Sequence, residues 1–442
     1  MRAPLQQIET SGELPRSADA VVIGGGIVGV FAAYYLARRG MRVALVEKGR
    51  IGAEQSSRNW GWCRQQNRDA RELPMATRSL DLWDSFATET GEDTGFRRCG
   101  LLYLSNDEAE LAGWARWRDF AKTAGVTTHI LDGAEASKRG CATGRAWKGG
   151  VFSPTDGTAD PSRAAPSVAR AILNLGSTVH QNCAARGIET ESGRLSGVVT
   201  ESGTIRTKVA VLAGGAWASS FCRQFGFRFP QASIRSSILS VSPGAEGLPD
   251  ALHTARISAN APRRWRLHAR HKRTRPRGRD AAAIAFLLAV PAHVPEAVAK
   301  PRARRGAGRA LGPRNAPALA AFDQPTPMER MRILDPVPDQ ATIRLTHARA
   351  LELLPELRKT RISASWAGYI DSTPDGVPAI GEIQSVPGFF LAAGFSGHGF
   401  GIGPGAGHLI ADLMIGSQPI VDPKSYDPQR FDVSAWGKVA DF

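Results

Sequence analysis

From residue 20 the chain opens with a short apolar run, Ala20 to Ile23, that breaks off at glycines. Such a run fits a strand buried on both faces of a parallel sheet. Apolar residues then recur with helical spacing from Ile27 to Arg38, and Gly40 stops that helix. Arg42 to Val46 reads as a second buried strand, ending at Glu47. Further along, Asp160-Pro161-Ser162-Arg163 introduces a helix expected over Ala164 to Leu175, followed by a strand over Thr178 to Asn182. Val209 to Leu212 is another buried strand that ends in glycines, and strands are expected at Gly100 to Leu104 and Ser233 to Val241. Gly394 to Gly405 reads as a tight glycine-rich loop, with a helix over Ala406 to Ile415 directly after it.

The first of these patterns carries chemistry. Gly24, Gly26 and Gly29 form GxGxxG between a strand and a helix. Gly24 permits the tight turn, Gly26 lets a pyrophosphate approach the backbone N–H groups at Gly26 and Ile27, and Gly29 lets helix and strand pack closely. Glu47, followed by Lys48, ends the second strand at the distance where a carboxylate accepts hydrogen bonds from ribose hydroxyls. Its charge repels a 2′-phosphate, which disfavours NADP. The motif by itself leaves FAD and NAD both open.

Composition narrows the picture in three places. Of the net charge of +15, residues 262–315 contribute +13 through fifteen Lys and Arg against Asp280 and Glu296, which leaves +2 elsewhere. The basic character belongs to one segment, so no nucleic-acid partner is expected. Cys63, Cys99, Cys141, Cys183 and Cys222 are odd in number and scattered, which points away from a disulfide framework and from a metal site. No apolar run is long enough to span a membrane and the first twenty residues lack a signal-peptide core, so the expected compartment is cytoplasmic.

Together with three later stretches, the fingerprint resembles the FAD-dependent D-amino-acid oxidase superfamily, which includes glycine oxidase, sarcosine oxidase and D-amino-acid dehydrogenase. The stretches are Ser56-Ser57-Arg58-Asn59-Trp60-Gly61, Val209 to Trp217, and Trp366 to Pro378 with Ala392 to Gly399. The resemblance implies an α/β FAD-binding domain of the Rossmann type (glutathione-reductase-like), interleaved with an α+β substrate domain on a mixed or antiparallel sheet. The FAD-binding pieces would be 18–95, 150–225 and 355–430, and the substrate domain 96–149 and 226–354. Residues 1–17 and 431–442 would be tails.

The same resemblance assigns Ser56, Ser57, Arg58 and Asn59 to a loop along the cofactor, and Gly214, Gly215 and Trp217 to close backbone approach. It assigns Gly394, Gly397, His398 and Gly399 to a turn whose following helix points its N-terminus at the flavin. His398 is either a catalytic candidate beside the isoalloxazine or a structural histidine. The implied reaction is oxidation of the C–N bond of an amino acid, N-methyl amino acid or secondary amine by hydride transfer to flavin N5, giving an imine that hydrolyses. O2 or a quinone would accept the electrons, and a partner subunit would fit the likeness to the sarcosine oxidase β-subunit. Other members hold substrate carboxylate with an arginine where Ile370 stands here. Arg344 and Arg349 are the substitutes on offer, against the reading that both are surface arginines. No cysteine follows Cys222 and no histidine occurs in 50–70, so the FAD would be noncovalent.

Residues 260–320 break the pattern. They show no strand alternation, are rich in arginine and alanine, and carry scattered prolines. They read as a basic insertion, as an anion-binding patch, or as a segment translated in a shifted frame. The third reading is favoured because codons for Trp265 to Gly278 can be chosen to read GGYTLAISGRGRVD one base out of register. In that case the alternative to an active oxidoreductase, or to a D-amino-acid dehydrogenase feeding a quinone, is a catalytically impaired flavoprotein.

Overall fold

The structure, a computed structural model, describes residues 3–260, 322 and 324–431, together with the backbone of Phe286–Ala289. Its first layer is a six-stranded sheet in the order 379–382, 389–393, 210–212, 20–23, 43–47, 178–181. Five of these strands run parallel, and Ala379–Glu382 pairs antiparallel at one edge. The four-residue strand Ala20–Ile23 lies in the middle and is buried throughout, as its unbroken apolar sequence requires. The helix Ile27–Arg38 is buried from Ile27 to Ala37, since it is enclosed by the sheet, the helix Ala164–Asn174 and the helix Gly399–Ile415. That enclosure explains a segment apolar all round rather than along one stripe.

A second, mixed sheet of eight strands has the order 362–372, 232–241, 286–289, 258–260, 251–253, 101–105, 149–153, 129–131. Only Ala251–His253 beside Leu101–Ser105 is parallel. The long strands Ala232–Val241 and Ile362–Ser372 pair antiparallel from Ala232↔Ser372 to Val241↔Ile362. Hydrogen bonding therefore places Gly149–Ser153 and Ile362–Ser372 in this sheet, whereas the expected boundaries at 150 and 355 put them with the cofactor sheet. The α/β layer and the mixed-sheet layer are the two architectures expected, each assembled from separated stretches of chain. Within the anomalous block, Phe286–Ala289 pairs between 232–241 and 258–260, so these four residues do continue the sheet. The remaining expectations for 260–320, including the frame-shift reading, fall on residues outside those described.

The helix after the glycine-rich loop starts at Gly399, seven residues before the expected Ala406. Glycines at 399, 401, 403, 405 and 407, with Pro404 among them, read locally as loop, and tertiary packing reverses that preference. A Cβ at Gly403 would lie 3.0 Å from Ile27 Cγ1, and one at Gly407 would lie 2.5 Å from Phe31 Cβ and 2.7 Å from Ala32 N. The glycines thus let this helix cross the fingerprint helix at short range. Ser79 Oγ donates to Ile402 O and accepts from Gly405 N, and Trp83 Nε1 donates to Gly401 O, so side chains of the neighbouring helix partner the backbone groups at 401, 402 and 405 around Pro404.

Gly407→Ala is therefore expected to overpack this crossing and cost about 1–3 kcal/mol, lowering the melting temperature seen by circular dichroism. Gly113→Ala is the contrast. Gly113 sits in the helix Glu108–Thr123 with only Arg116 Nη2 at 3.8 Å from the added carbon. That change is expected to stabilise by up to about 1 kcal/mol.

Candidate functional site

A cleft with about 1550 Å³ of empty space, counting its open mouth, runs along the C-terminal ends of the parallel strands. Such ends are where open α/β sheets bind ligands. One wall is the strand–turn–helix fingerprint. Gly24 has φ +111°, and a Cβ there would sit 2.4 Å from Ala213 O. A Cβ at Gly29 would sit 2.0 Å from Gly24 O, so this glycine packs helix on strand and does not line the cleft. Gly26 is different: the nearest atom to an added Cβ is Ser56 Oγ at 3.4 Å, and beyond it the cleft is open.

Glu47 fastens this turn. Its carboxylate accepts the Gly25 N–H at 2.7 Å and the Gly49 N–H at 2.7 Å. Burial pushes its pKa up, opposed by Lys48 and the two N–H groups. Lys48 lines the cleft but is already occupied. Its ammonium pairs with Glu54, donates to Arg332 O at 2.7 Å, and stands 4.9 Å above the Trp217 ring.

The loop after it supplies the next stretch of wall. Ser56 Oγ accepts the Ile27 N–H at 2.8 Å and so caps the fingerprint helix, leaving its own O–H to be donated. Arg58 is buried and donates to Ala53 O, Ala367 O and Asp335. Asn59 donates to Gln55 O and Ser56 O and accepts from Gly61 N, holding the loop's shape. Ser56, Arg58 and Asn59 line the cleft. Ser57 faces away from it, into a small recess shared with Arg50 and Asp335.

The opposite wall holds Gly214, Gly215 and Trp217, then Tyr369, Ile370 and Asp371, then Gly397 and Gly399. Asp371 is 2% exposed. Its carboxylate accepts the Gly394 N–H at 2.8 Å and Gln231 Nε2 at 3.3 Å, and its own N–H donates to Gln55 Oε1 at 3.4 Å. Gln231 also donates to Gly215 O at 2.8 Å. Three separate segments are thus tied together at one residue, two through its carboxylate and one through its backbone N–H. Gln55, Gln231 and Asp371 were not foreseen as site residues. Asp371 lay inside a stretch already singled out, while nothing local marks Gln231.

Besides Gly29 and Ser57, four more expected residues do not reach the cleft. Gly394 has φ +79° and packs on Thr373, where an added Cβ would meet Cγ2 at 2.4 Å. The His398 ring turns to Glu72, with Nδ1 2.8 Å from Oε2, and does not line the cleft. Burial and Arg68 hold His398 below its ordinary pKa, while Glu72 opposes them. The hydrogen bond between Nδ1 and Oε2 holds the ring away from the cleft. Arg344 is exposed on the helix Gln340–Leu353, and Arg349 on the same helix does not line the cleft either. The cations in the cleft wall are Lys48, Arg50 and Arg58. A further cation, Arg64, lies outside that wall. It is half-buried, it donates to Gln66 O and to Tyr103 Oη at 3.1 Å, and no carboxylate among the described residues forms an ion pair with it. Its backbone N lies 3.6 Å from where a Cβ on Gly401 would be, so it flanks the first turn of the helix Gly399–Ile415.

The residues fit a dinucleotide. An open cradle at Gly26, a helix N-terminus behind it and a carboxylate at the end of the second strand form one continuous surface. Comparison with known proteins agrees. Mouse mitochondrial sarcosine dehydrogenase is 28% identical over 431 residues, covering 95% of this chain but 42% of that protein, so the chain spans less than half of that relative. Glycine oxidase from Pseudomonas putida is 25% identical over 93% of this chain and 99% of its own length. The solved structure of L-amino acid deaminase from Proteus myxofaciens in complex with anthranilate superposes with a TM-score of 0.84 at 27% identity, covering 98% of this chain and 97% of that one. A family described as FAD dependent oxidoreductase, abbreviated DAO, matches residues 19–413, and the chain belongs to that family.

Proposed function

We propose that this chain binds FAD noncovalently in the cleft and oxidises the C–N bond of an amino acid, N-methyl amino acid or related secondary amine. The observation that carries the proposal is the single cleft that joins the glycine fingerprint and Glu47 to Ile370 and the Gly397–Gly399 turn. Of the relatives named above, the sarcosine dehydrogenase and the glycine oxidase are amino-acid oxidoreductases by name, and the L-amino acid deaminase is named for an amino-acid substrate; all three support the same class. Bound FAD supplies a hydride acceptor for the C–H bond next to nitrogen, and water hydrolyses the imine that results.

The chain's own residues position and shield. Glu47 offers its remaining lone pairs to ribose hydroxyls. Gly26 leaves room for the pyrophosphate, and the Ser56 hydroxyl donates to it. The N-terminus of the helix Gly399–Ile415 places partial positive charge at the cleft, where negative charge develops on reduction. Arg64 is the group we assign to a substrate carboxylate, in the role that neither Ile370 nor Arg344 can fill. The five cysteines are all free, which suits the cytoplasm as the compartment.

Three outcomes are expected. Anaerobic addition of sarcosine, glycine, or L- or D-amino acids should bleach the flavin absorbance with at least one of them. Re-oxidation by air or by a soluble quinone then identifies the acceptor. No bleaching by any amine or amino acid would overturn the proposal. Arg64→Ala is expected to raise KM for a carboxylate-bearing substrate about 10- to 100-fold and to leave KM for the matching decarboxylated amine nearly unchanged, as steady-state kinetics would show. Asp371 gives a pH dependence. Burial pushes its carboxyl up to about 6, against the Gly394 N–H and the Gln55 side chain. Its contribution to stability is therefore present below the unfolded value of about 3.9 and lost as pH rises through about 6. Asp371→Asn cannot ionise, so its stability relative to wild type should rise between pH 4 and 7, by at most about 3 kcal/mol, in urea unfolding of the apoprotein.

A further inference from the structure

The second strand and the loop that follows it are covered by a segment from the far side of the chain, residues 324–335. Thr326 caps a single helical turn, Pro327–Arg330, in a capping box with Glu329. The same Glu329 carboxylate receives Arg186 through Nε at 3.0 Å and Nη2 at 3.0 Å. Two residues beyond that turn, the Arg332 guanidinium grips Glu201 with both terminal nitrogens, one of them at 2.6 Å, and donates to Lys48 O at 3.0 Å. Lys48 answers by donating its ammonium to Arg332 O, and Glu54 accepts the Leu334 N–H at 3.1 Å. The backbones meet so closely that a Cβ on Gly49 would fall 2.6 Å from Arg332 O.

Every one of these ties ends on the loop after Glu47 or on the antiparallel strands Ala185–Glu191 and Arg194–Thr200 with the turn that follows them. Between them Met328, 6% exposed, is set into the wall of the cleft. The segment is thus anchored on both flanks and lies across the part of the cleft where Glu47 faces inward. Beside the buried Met328 and Leu334, its fastenings are ion pairs and a few backbone bonds. Arg332 is 35% exposed and its partner Glu201 16%, so this fastening is reachable by water. Contacts of that kind open locally at lower cost than a packed core.

We infer that residues 324–335 form a strap that retains FAD by its adenosine end, and that the Arg332–Glu201 and Arg186–Glu329 pairs set how fast the cofactor escapes. This rests on the cleft being the FAD site. Residues lying far from the fingerprint in sequence thereby complete the dinucleotide pocket. Cofactor retention is then tied to the stretch leading into the helix Gln340–Leu353.

The test is the rate at which FAD leaves the holoenzyme, followed by the rise in flavin fluorescence after dilution. Arg332→Met and Glu201→Gln should each speed release about tenfold. The double variant should be no faster than either single one, because one pair is lost in all three. Arg332→Lys should fall between these and wild type. Breaking the surface pair of Arg139 with Glu135 by Arg139→Ala should leave release unchanged. A measurement without variants covers the case of a misfolded mutant: Arg330 is exposed on the strap, and bound FAD should slow tryptic cleavage there. Wild-type release rates in the strap variants, or equal cleavage with and without FAD, overturn the strap while the cofactor site stands. A wild-type chain that takes up no FAD overturns the site and the strap together.

Discussion

The contact on which this structure depends is the close passage of backbone at the first turn. Gly29 comes so near Gly24 that an added Cβ would fall 2.0 Å from its carbonyl oxygen, and a Cβ on Gly24 would fall 2.4 Å from Ala213 O. Any side chain at these two points would push the helix off the sheet and the strand Ala210–Leu212 away from Ala20–Ile23. With them absent, the helix N-terminus, the end of Glu47's strand and the Gly214–Gly215 turn converge on one rim. The cleft exists because these backbones can touch.

The polar and charged residues around that rim divide into two groups. Lys48, Arg58 and Glu54 are spent on internal ties, and they hold the loop along which the cofactor is proposed to lie. Glu47 and Ser56 keep bonding capacity toward the cleft after satisfying the turn. Asp371 belongs to the first group by its contacts and to the second by its position in the wall. Burial raises the pKa of this carboxylate to about 6, and the amide and backbone N–H groups that face it offset this only in part. Asp371 serves here to join Gln55, Gln231 and Gly394, which come from three distant parts of the chain.

The parts of the site legible in the sequence are those whose geometry is local. Gly24, Gly26 and Gly29 define the turn by spacing alone, and Glu47 follows from its place at the strand end. Gly214, Gly215 and Trp217 follow a buried strand and land in the cleft. Ser57, Gly394 and His398 sit within one residue of a wall residue yet point elsewhere, because side-chain direction depends on the turn each loop adopts. The helix at Gly399 was hidden because its glycines favour loop locally and are there to meet Ile27 and Phe31 across the crossing. Arg344 carries the right charge, but its helix turns that charge to solvent. Arg332 joins the cover of the cleft only through Lys48 and Glu201, each more than a hundred residues away in the chain, and nothing near Arg332, Met328 or Gln231 in sequence signals their places.

The most direct measurement is a titration of the apoprotein with FAD, followed by flavin fluorescence quenching, beside the same titration of Gly26→Val. The cleft as described should take up one FAD per chain. The valine, projecting into the cradle beside Ser56, should abolish uptake while the far-ultraviolet circular dichroism stays that of the wild type. Equal, saturable binding by a folded Gly26→Val would contradict the placement of the cofactor at this turn.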